Sequence, residues 1–324
     1  MSSRVSPSRQ GSRFHAGAAG PRPYNRREFL YDVGPVFRRK RFRLQLRSRA
    51  LILGERTLIM GVLNVTPDSF SDGGAYLDTE AAIARALQLE QDGADILDIG
   101  GESTRPGATP VSPEEEQRRV LPVIEGLRGK LRIPISVDTR RAAVADTALA
   151  AGAEIVNDVS GLRTDPILAE VARRARAALI LMHMRGTPRT MQRKPFARDV
   201  MREVTSGLRA SIALARRGGL AKSRLLLDPG IGFGKSYEQN FEILARLPEL
   251  ARLGCLIVVG TSRKAFLGKA LAKPGAQPAP PEDRLLGTAV TLTASILGGA
   301  HIVRVHDVAE MARVGRVADR LMQS

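Results

Sequence analysis

Eight short apolar runs in this chain end in residues that can hydrogen-bond, carry charge or move a proton. They are Asn64, Asp98, Asp138, Asn157 with Asp158, His183, Asp228, the Ser262–Lys264 group, and Arg304 with His306. Taken singly, each has an ordinary reading, because Asp or Asn after a strand is commonly a turn residue or helix cap. Taken together they divide by chemistry. Asp138, Asn157, Asp228 and Lys264 mix acceptors with donors, which suits a buried planar heterocycle that has both kinds of edge. Such a site rejects analogues that leave its own polar groups unpaired. Thr104, Arg105, Arg304 and His306 are hydroxylic or cationic and suit phosphate oxygens. Asn64 adds a neutral oxygen, suited to a Mg²⁺ ion that takes its other ligands from substrate phosphates. No activated nucleophile is evident: Ser262 has a cation beside it, and no His/Cys cluster has metal-ligand spacing. Positioning and leaving-group stabilisation therefore fit better than covalent catalysis.

For these residues to meet, their strands must run one way and end on one rim. The runs are Ile59–Val65, Ile96–Gly100, Ile135–Asp138, Ile155–Asp158, Leu179–His183, Leu225–Asp228, Leu256–Gly260 and Ile302–Val305. Each is continuously hydrophobic, as buried parallel strands are. Helical patterns alternate with them, among them Thr79–Asp92, Pro113–Leu127, Ala142–Ala150 and Asp199–Arg217. Thr79-Glu80 and Ser112-Pro113-Glu114-Glu115 are expected helix starts, combining a cap with early acids. Gly93, Gly152, Gly218 and Gly299 are expected left-handed helix ends. Eight βα units predict an α/β protein, a single-domain (β/α)8 TIM barrel over residues 41–324, with an N-terminal β-hairpin through Arg43–Ile59. An open doubly wound sheet is disfavoured, since no GxGxxG follows the first strand and polar residues recur after nearly every strand. Residues Lys273–Asp283, with four prolines, are expected as a surface loop before the seventh helix. The turn-rich loops 64–74 and 100–107 are expected to act as lids over the mouth, excluding water.

Composition sets bounds on partners. The hydrophobic fraction is 43% but aromatics are only 4% and Trp is absent, so aliphatic side chains must fill the core. Cys255 is the sole cysteine, which rules out disulfide scaffolds and fits a reducing compartment, here the cytoplasm. Its apolar surroundings predict a small buried hydrophobe. The net charge is +17, yet residues 1–50 hold thirteen Lys/Arg against two acids, a local +11, leaving +6 for the rest. The excess is a tail property, and residues 1–40 are expected to be a disordered basic tail. The run Arg38–Arg43 reads as a charged lead-in to the first strand, so nucleic-acid binding is not expected beyond weak contact by the tail. No signal-peptide core or membrane span is evident.

The stretches MGVLNVTPDSFSDGG, DIGGESTRPGA, ISVDT, IVNDVSGL, LMHMRGTPRTMQ, LLDPGIGFGK, GTSRKAFLG and RVHDV run in order over residues 59–308. Together they resemble the dihydropteroate synthase family of pterin-binding barrels. That family joins 4-aminobenzoate to 6-hydroxymethyl-7,8-dihydropterin diphosphate, releasing pyrophosphate and 7,8-dihydropteroate. The resemblance implies that Asp138, Asn157, Asp228 and Lys264 grip the pterin, with Met182 packing nearby. It implies that Asn64 holds a Mg²⁺–diphosphate, with Thr104, Arg105, Arg304 and His306 around the anion. Phe70, Asp72 and Pro106, with Phe233, Ser262 and Arg263, would shape the aminobenzoate pocket, Asp72 supporting the lid or a cationic intermediate. It also implies an SN1-like path, sulfonamides as ligands, and a homodimer through barrel helices, for which Ala289–Leu297 is a candidate. The Arg140-Arg141 pair is more basic than expected. A pterin-dependent methyltransferase is disfavoured, because it would have no use for the anion loops. An inactive paralogue, or a nucleic-acid-binding protein acting through the tail, are the other readings.

Overall fold

Continuously apolar strands must bury both faces, and closing them into a ring does so: alternate side chains fill the interior and meet the helix layer outside. The computed structural model describes residues 39–66, 74–103, 107–187, 190–191 and 197–323, with 74–78 as backbone. The expected tail, up to residue 38, lies outside them. Eight parallel strands form the closed barrel: β3 (Leu58–Asn64), β4 (Ile96–Gly100), β5 (Ile135–Asp138), β6 (Ile155–Asp158), β7 (Ala178–Met182), β8 (Leu225–Asp228), β9 (Leu256–Val259) and β10 (Ile302–Val305). They pair in chain order, and β10 closes onto β3 with Val305 opposite Gly61. The registers set Gly100 opposite Asp138, Asp138 opposite Asn157, and Met182 opposite Asp228. Rim residues from successive strands thus stand level at one mouth.

The expected hairpin is present as β1 (Phe42–Gln45) and β2 (Ala50–Leu53), antiparallel, with Phe42 opposite Leu53. It closes the base of the barrel. Leu44, Leu46 and Leu53 are fully buried against Met60, Ile96, Ile180, Leu226 and Ile302. A second, larger apolar cluster fills the space between strands and helices, and Cys255 is buried within it.

The helices are α1 (Gly74–Gln91), α2 (Pro113–Leu127), α3 (Ala142–Ala151), α4 (Leu168–Arg174), α5 (Val200–Arg217), α6 (Tyr237–Ala245), α7 (Ala265–Leu271), α8 (Leu285–Leu297) and α9 (Val308–Gln323). Ser112 caps α2 as expected, its hydroxyl accepting from Glu115 N at 3.2 Å. Three details differ from the sequence reading. α1 starts at Gly74, so Thr79 lies inside it; Ala75 and Leu77 are good helix formers and no proline stops the extension. The left-handed residue after α5 is Gly219 (φ +79°), not Gly218 (φ −72°). The Pro-rich loop follows α7 and precedes α8, because the short helix Ala265–Leu271 already begins the seventh unit.

Arg39 and Lys40, assigned to the tail by composition, engage the barrel. Arg39 is buried at the base, where it pairs with Asp319 of α9 and donates to Thr57 Oγ1 (2.7 Å) and Ala300 O (2.8 Å). Asp319 also accepts from Thr57 N at 2.7 Å. A charge this deep is tolerated only with its partner in place. Asp319→Ala should therefore cost about 3–5 kcal/mol of unfolding free energy in urea titrations. A loss under about 1 kcal/mol would mean that the pair is solvated in solution.

Candidate active site

The polar floor of the mouth is built around one buried carboxylate. Asp98, on β4, is fully buried, and its Oδ2 accepts from Arg304 Nε at 2.6 Å and from Asn157 Nδ2 at 3.0 Å. Arg304, on β10, also donates from Nη2 to Asp138 Oδ2 at 2.8 Å. One guanidinium thus ties together strands that are not neighbours in the ring. Asn64 ends β3 half-buried above this floor.

The neighbouring wall comes from β7, β8 and the turn after β8. Asp228 Oδ1 accepts from Gly230 N at 2.7 Å, and its carbonyl accepts from His183 N at 2.9 Å. Gly230 has φ +69°, and a Cβ there would lie 1.9 Å from His183 O. Only glycine allows that approach. Lys235 is buried under the turn and donates to His183 O at 2.7 Å. The stem of Lys264 runs over Gly232, and its ammonium lies 4.0 Å from the Phe233 ring centroid. Phe233, Met182, Met184, Met191 and Val159 form a separate buried apolar cluster beside it.

Ser262, Arg263 and His306 gather on the third side. Ser262 Oγ lies 3.0 Å from His306 Nδ1 and accepts from His306 N at 3.2 Å. Arg263 takes a left-handed backbone (φ +58°), and its guanidinium pairs with Asp307, Nε to Oδ2 at 3.0 Å. The Arg140-Arg141 excess has a structural partner: both reach Glu102 at 3.2 Å, and Arg141 also pairs with Glu116. These arginines anchor the start of the second loop.

The structure brings Asn157, Asp138, Asp228, Lys264, Met182, Phe233, Arg304, Ser262, Arg263, His306 and Asn64 to one end of the barrel. Phe70, Asp72, Thr104, Arg105 and Pro106, expected on the two loops, lie outside the described residues. Two rim residues keep the ordinary reading. Asp158 accepts from Ser160 N (2.7 Å) and Leu162 N (2.5 Å) in a local turn. His183 turns its ring outward against α5, where a Cβ on Gly207 would lie 2.5 Å from its Cδ2. Asp98 and Lys235 are additions. Asp98 ended an apolar run in the sequence but was assigned to neither chemical group. Its signal was alternation: Ile96, Asp98 and Gly100 share the inward face, so an acid there is inside the barrel.

Residues 60–306 match the family of pterin binding enzymes. A dihydropteroate synthase from Synechocystis is 50% identical over 268 residues, 83% of this chain and 91% of that protein. The crystal structure of a Clostridium difficile dihydropteroate synthase, determined in the presence of pteroic acid, superposes with a TM-score of 0.78 at 46% identity. It covers 84% of this chain and 99% of its own. A Xanthomonas albilineans dihydropteroate synthase with 4-aminobenzoic acid gives 0.79 at 43% identity, over 88% of this chain and 100% of its own. The chain belongs to the dihydropteroate synthase family.

Among the described residues, Asp98, Asp138 and Asp228 meet the cations Arg304 and Lys264 at the mouth. Burial pushes Asp138 up to about 7, with Arg304 opposing and Asp98 adding to the rise. Burial likewise raises Asp228, which Gly230 N–H and Lys264 partly offset. Desolvation lowers Lys264 to about 8, helped by Arg304 and resisted by Asp228. His306 falls to about 3 through burial and the cations Arg304, Arg263 and Lys264. It is therefore a neutral hydrogen-bonding group here, not the cation its grouping by sequence implied. A heterocycle that donates to Asp138 and accepts from Lys264 needs the first ionised and the second protonated. Affinity for diphosphate-free 7,8-dihydropterin should rise as pH passes about 7 and fall beyond about 8. Calorimetric titrations across that range check it; a flat profile would remove both groups from the contact.

Proposed function

We propose that the barrel mouth binds 6-hydroxymethyl-7,8-dihydropterin diphosphate on its polar floor and joins the pterin methylene to the amine of 4-aminobenzoate. As a member of its family the chain is a transferase of folate synthesis that forms 7,8-dihydropteroate. The observation that carries the reading is the Asp98–Arg304–Asp138 floor with Asn157, Asp228 and Lys264 around it, acceptors and donors converging on one buried layer. On this reading Asp138, Asn157, Asp228 and Lys264 pair with the pterin edges, and Met182 lies along the ring. Arg304 and His306, with Thr104 and Arg105 of the second loop, take the diphosphate. Phe70, Pro106, Phe233, Ser262 and Arg263 shape the aminobenzoate pocket, and Asp72 supports the lid or the cation.

Among the described residues no three His, Cys, Asp or Glu side chains cluster as a metal cage. Asn64, half-buried at the end of β3, offers a neutral oxygen that suits a Mg²⁺ ion carried in by the diphosphate. When bound it would neutralise charge on the leaving oxygens. The chain's own residues do the rest. The methylene C–O bond breaks and its electron pair departs with pyrophosphate, while the ring and the nearby carboxylates stabilise the cation. The neutral arylamine then forms the C–N bond and loses a proton. Sulfonamides, as aminobenzoate mimics, would compete for that last position.

The helix faces support a homodimer. Leu286 (73% exposed) and Val290 (69%) on α8 stand with Val317 (65%) and Leu321 (54%) on α9, and these two helices pack together. Within the candidate stretch Ala289–Leu297, Leu292 and Ile296 are instead barrel core, leaving Val290 as its outward apolar residue. No helix among the described residues is long and apolar enough to cross a membrane. With a single buried free thiol at Cys255, a cytoplasmic site of action fits.

Purified protein with Mg²⁺ and the pterin diphosphate should release pyrophosphate only with 4-aminobenzoate present, matched by dihydropteroate. Asp138→Ala and Arg105→Ala should each keep the circular dichroism spectrum and lose at least about 100-fold in kcat/KM. Near-wild-type turnover would sink those roles. Sedimentation should show a dimer that Val290→Asp with Val317→Asp converts to monomer; a monomeric wild type at micromolar concentration would overturn the dimer.

A further inference from the structure

We infer that Asp98 is a positioning residue that sets specificity at the heterocycle subsite, by pinning the amide of Asn157 and retaining Arg304 beside it. The inference rests on the reading of that subsite as the pterin floor. Asp98 faces inward from β4 and is fully buried. Asn157 turns its NH₂ toward the Oδ2 that also accepts from Arg304 Nε. The amide then offers the ligand one remaining N–H and its Oδ1 in a fixed order. An unpinned amide could rotate and serve either order, and would discriminate poorly between edges.

The same Oδ2 holds Arg304 through Nε, independently of the Nη2 bond to Asp138. A ligand that takes over Asp138 therefore releases one anchor of the guanidinium and leaves the other. Asp98 also has unused capacity. Its Oδ1 is buried with no donor among the described residues, as is the hydroxyl of Ser136, its register partner on β5. Buried acceptors are normally satisfied by ligand or ordered water. Two of the floor's polar groups, Asn157 and Arg304, thus take their geometry from one side chain that need not touch the reacting atoms.

The test is a specificity ratio, which a merely structural role would leave unchanged. Affinities for 7,8-dihydropterin and for the analogue with oxo in place of the 2-amino group are measured in wild type, Asp98→Asn and Asp319→Asn. An amide at position 98 can donate as well as accept, so Asn157 is free to reverse. The preference for the amino compound should fall at least about tenfold in Asp98→Asn and hold in Asp319→Asn, which perturbs only the base. A ratio within about threefold of wild type in Asp98→Asn would overturn the inference. Should that variant not fold, side-chain amide NMR of the wild-type protein decides: Asn157 should show two widely separated, exchange-protected protons, and a solvent-averaged amide would overturn the pinning. Failure of wild type to bind any pterin would fall on the functional reading, while the NMR result still decides the pinning.

Discussion

The mouth of this barrel depends on the burial of one arginine. Arg304 lies on the strand that closes the ring, and its guanidinium reaches Asp98 and Asp138, which lie two and three strands away across the seam. A buried cation without such partners is strongly destabilising, and a buried carboxylate equally so. Each carboxylate holds the guanidinium through a different nitrogen, and Asp98 also sets the orientation of Asn157. Closure brings them together: the β10–β3 register sets Arg304 beside Met60, and β3–β4 sets Asp98 beside Val62. A polar layer in a barrel interior forgoes apolar packing that a purely structural barrel would use. The hairpin at the opposite end compensates, with Leu44, Leu46 and Leu53 sealing an interior of aliphatic side chains.

The charges of the mouth are sorted as well as buried. Acids predominate on the floor, while His306 is neutral and Arg263 is engaged by Asp307. An electron-poor ligand or a developing cation is favoured over the floor. An anion is not, except beside Arg304, and is otherwise met by groups on the rim and the loops. That division matches the proposed chemistry, in which positive charge grows at the pterin methylene and negative charge leaves with the diphosphate.

Much of this was legible in the sequence. The strands fell within a residue or so of the apolar runs, because strands buried on both faces carry apolar residues at nearly every position up to their polar ends. Helix starts were legible where a cap was chemically explicit, as at Ser112, and not at α1, where the helix simply continues back through residues of good propensity. The role of Arg304 was less legible. Its residue type suggests phosphate, and only the closure of β10 on β3 reveals that two carboxylates reach it first. Lys235 and the Arg140-Arg141 pair are further cases, since their partners, the His183 carbonyl, Glu102 and Glu116, lie distant in sequence. Pairings across strands are what a linear pattern cannot express.

Polar recognition and exclusion of water make opposed demands, and the barrel meets them on different arcs. Asp98, Asp138, Asn157 and Arg304 supply hydrogen bonds from β4, β5, β6 and β10. Met182, Met184, Met191 and Phe233 supply a soft apolar wall from β7 and the segments after β7 and β8. Thioether side chains adapt to a planar ring at little cost in rotamer strain. Lys264 belongs to both arcs: its stem lies over Gly232 and its ammonium over Phe233, yet it feels the charges of Asp228 and Asp138. A cation packed on an aromatic face keeps its direction without water. A reactive cation formed here would meet the arylamine before solvent, and that order of encounter is the selectivity that a reaction without a covalent enzyme intermediate requires.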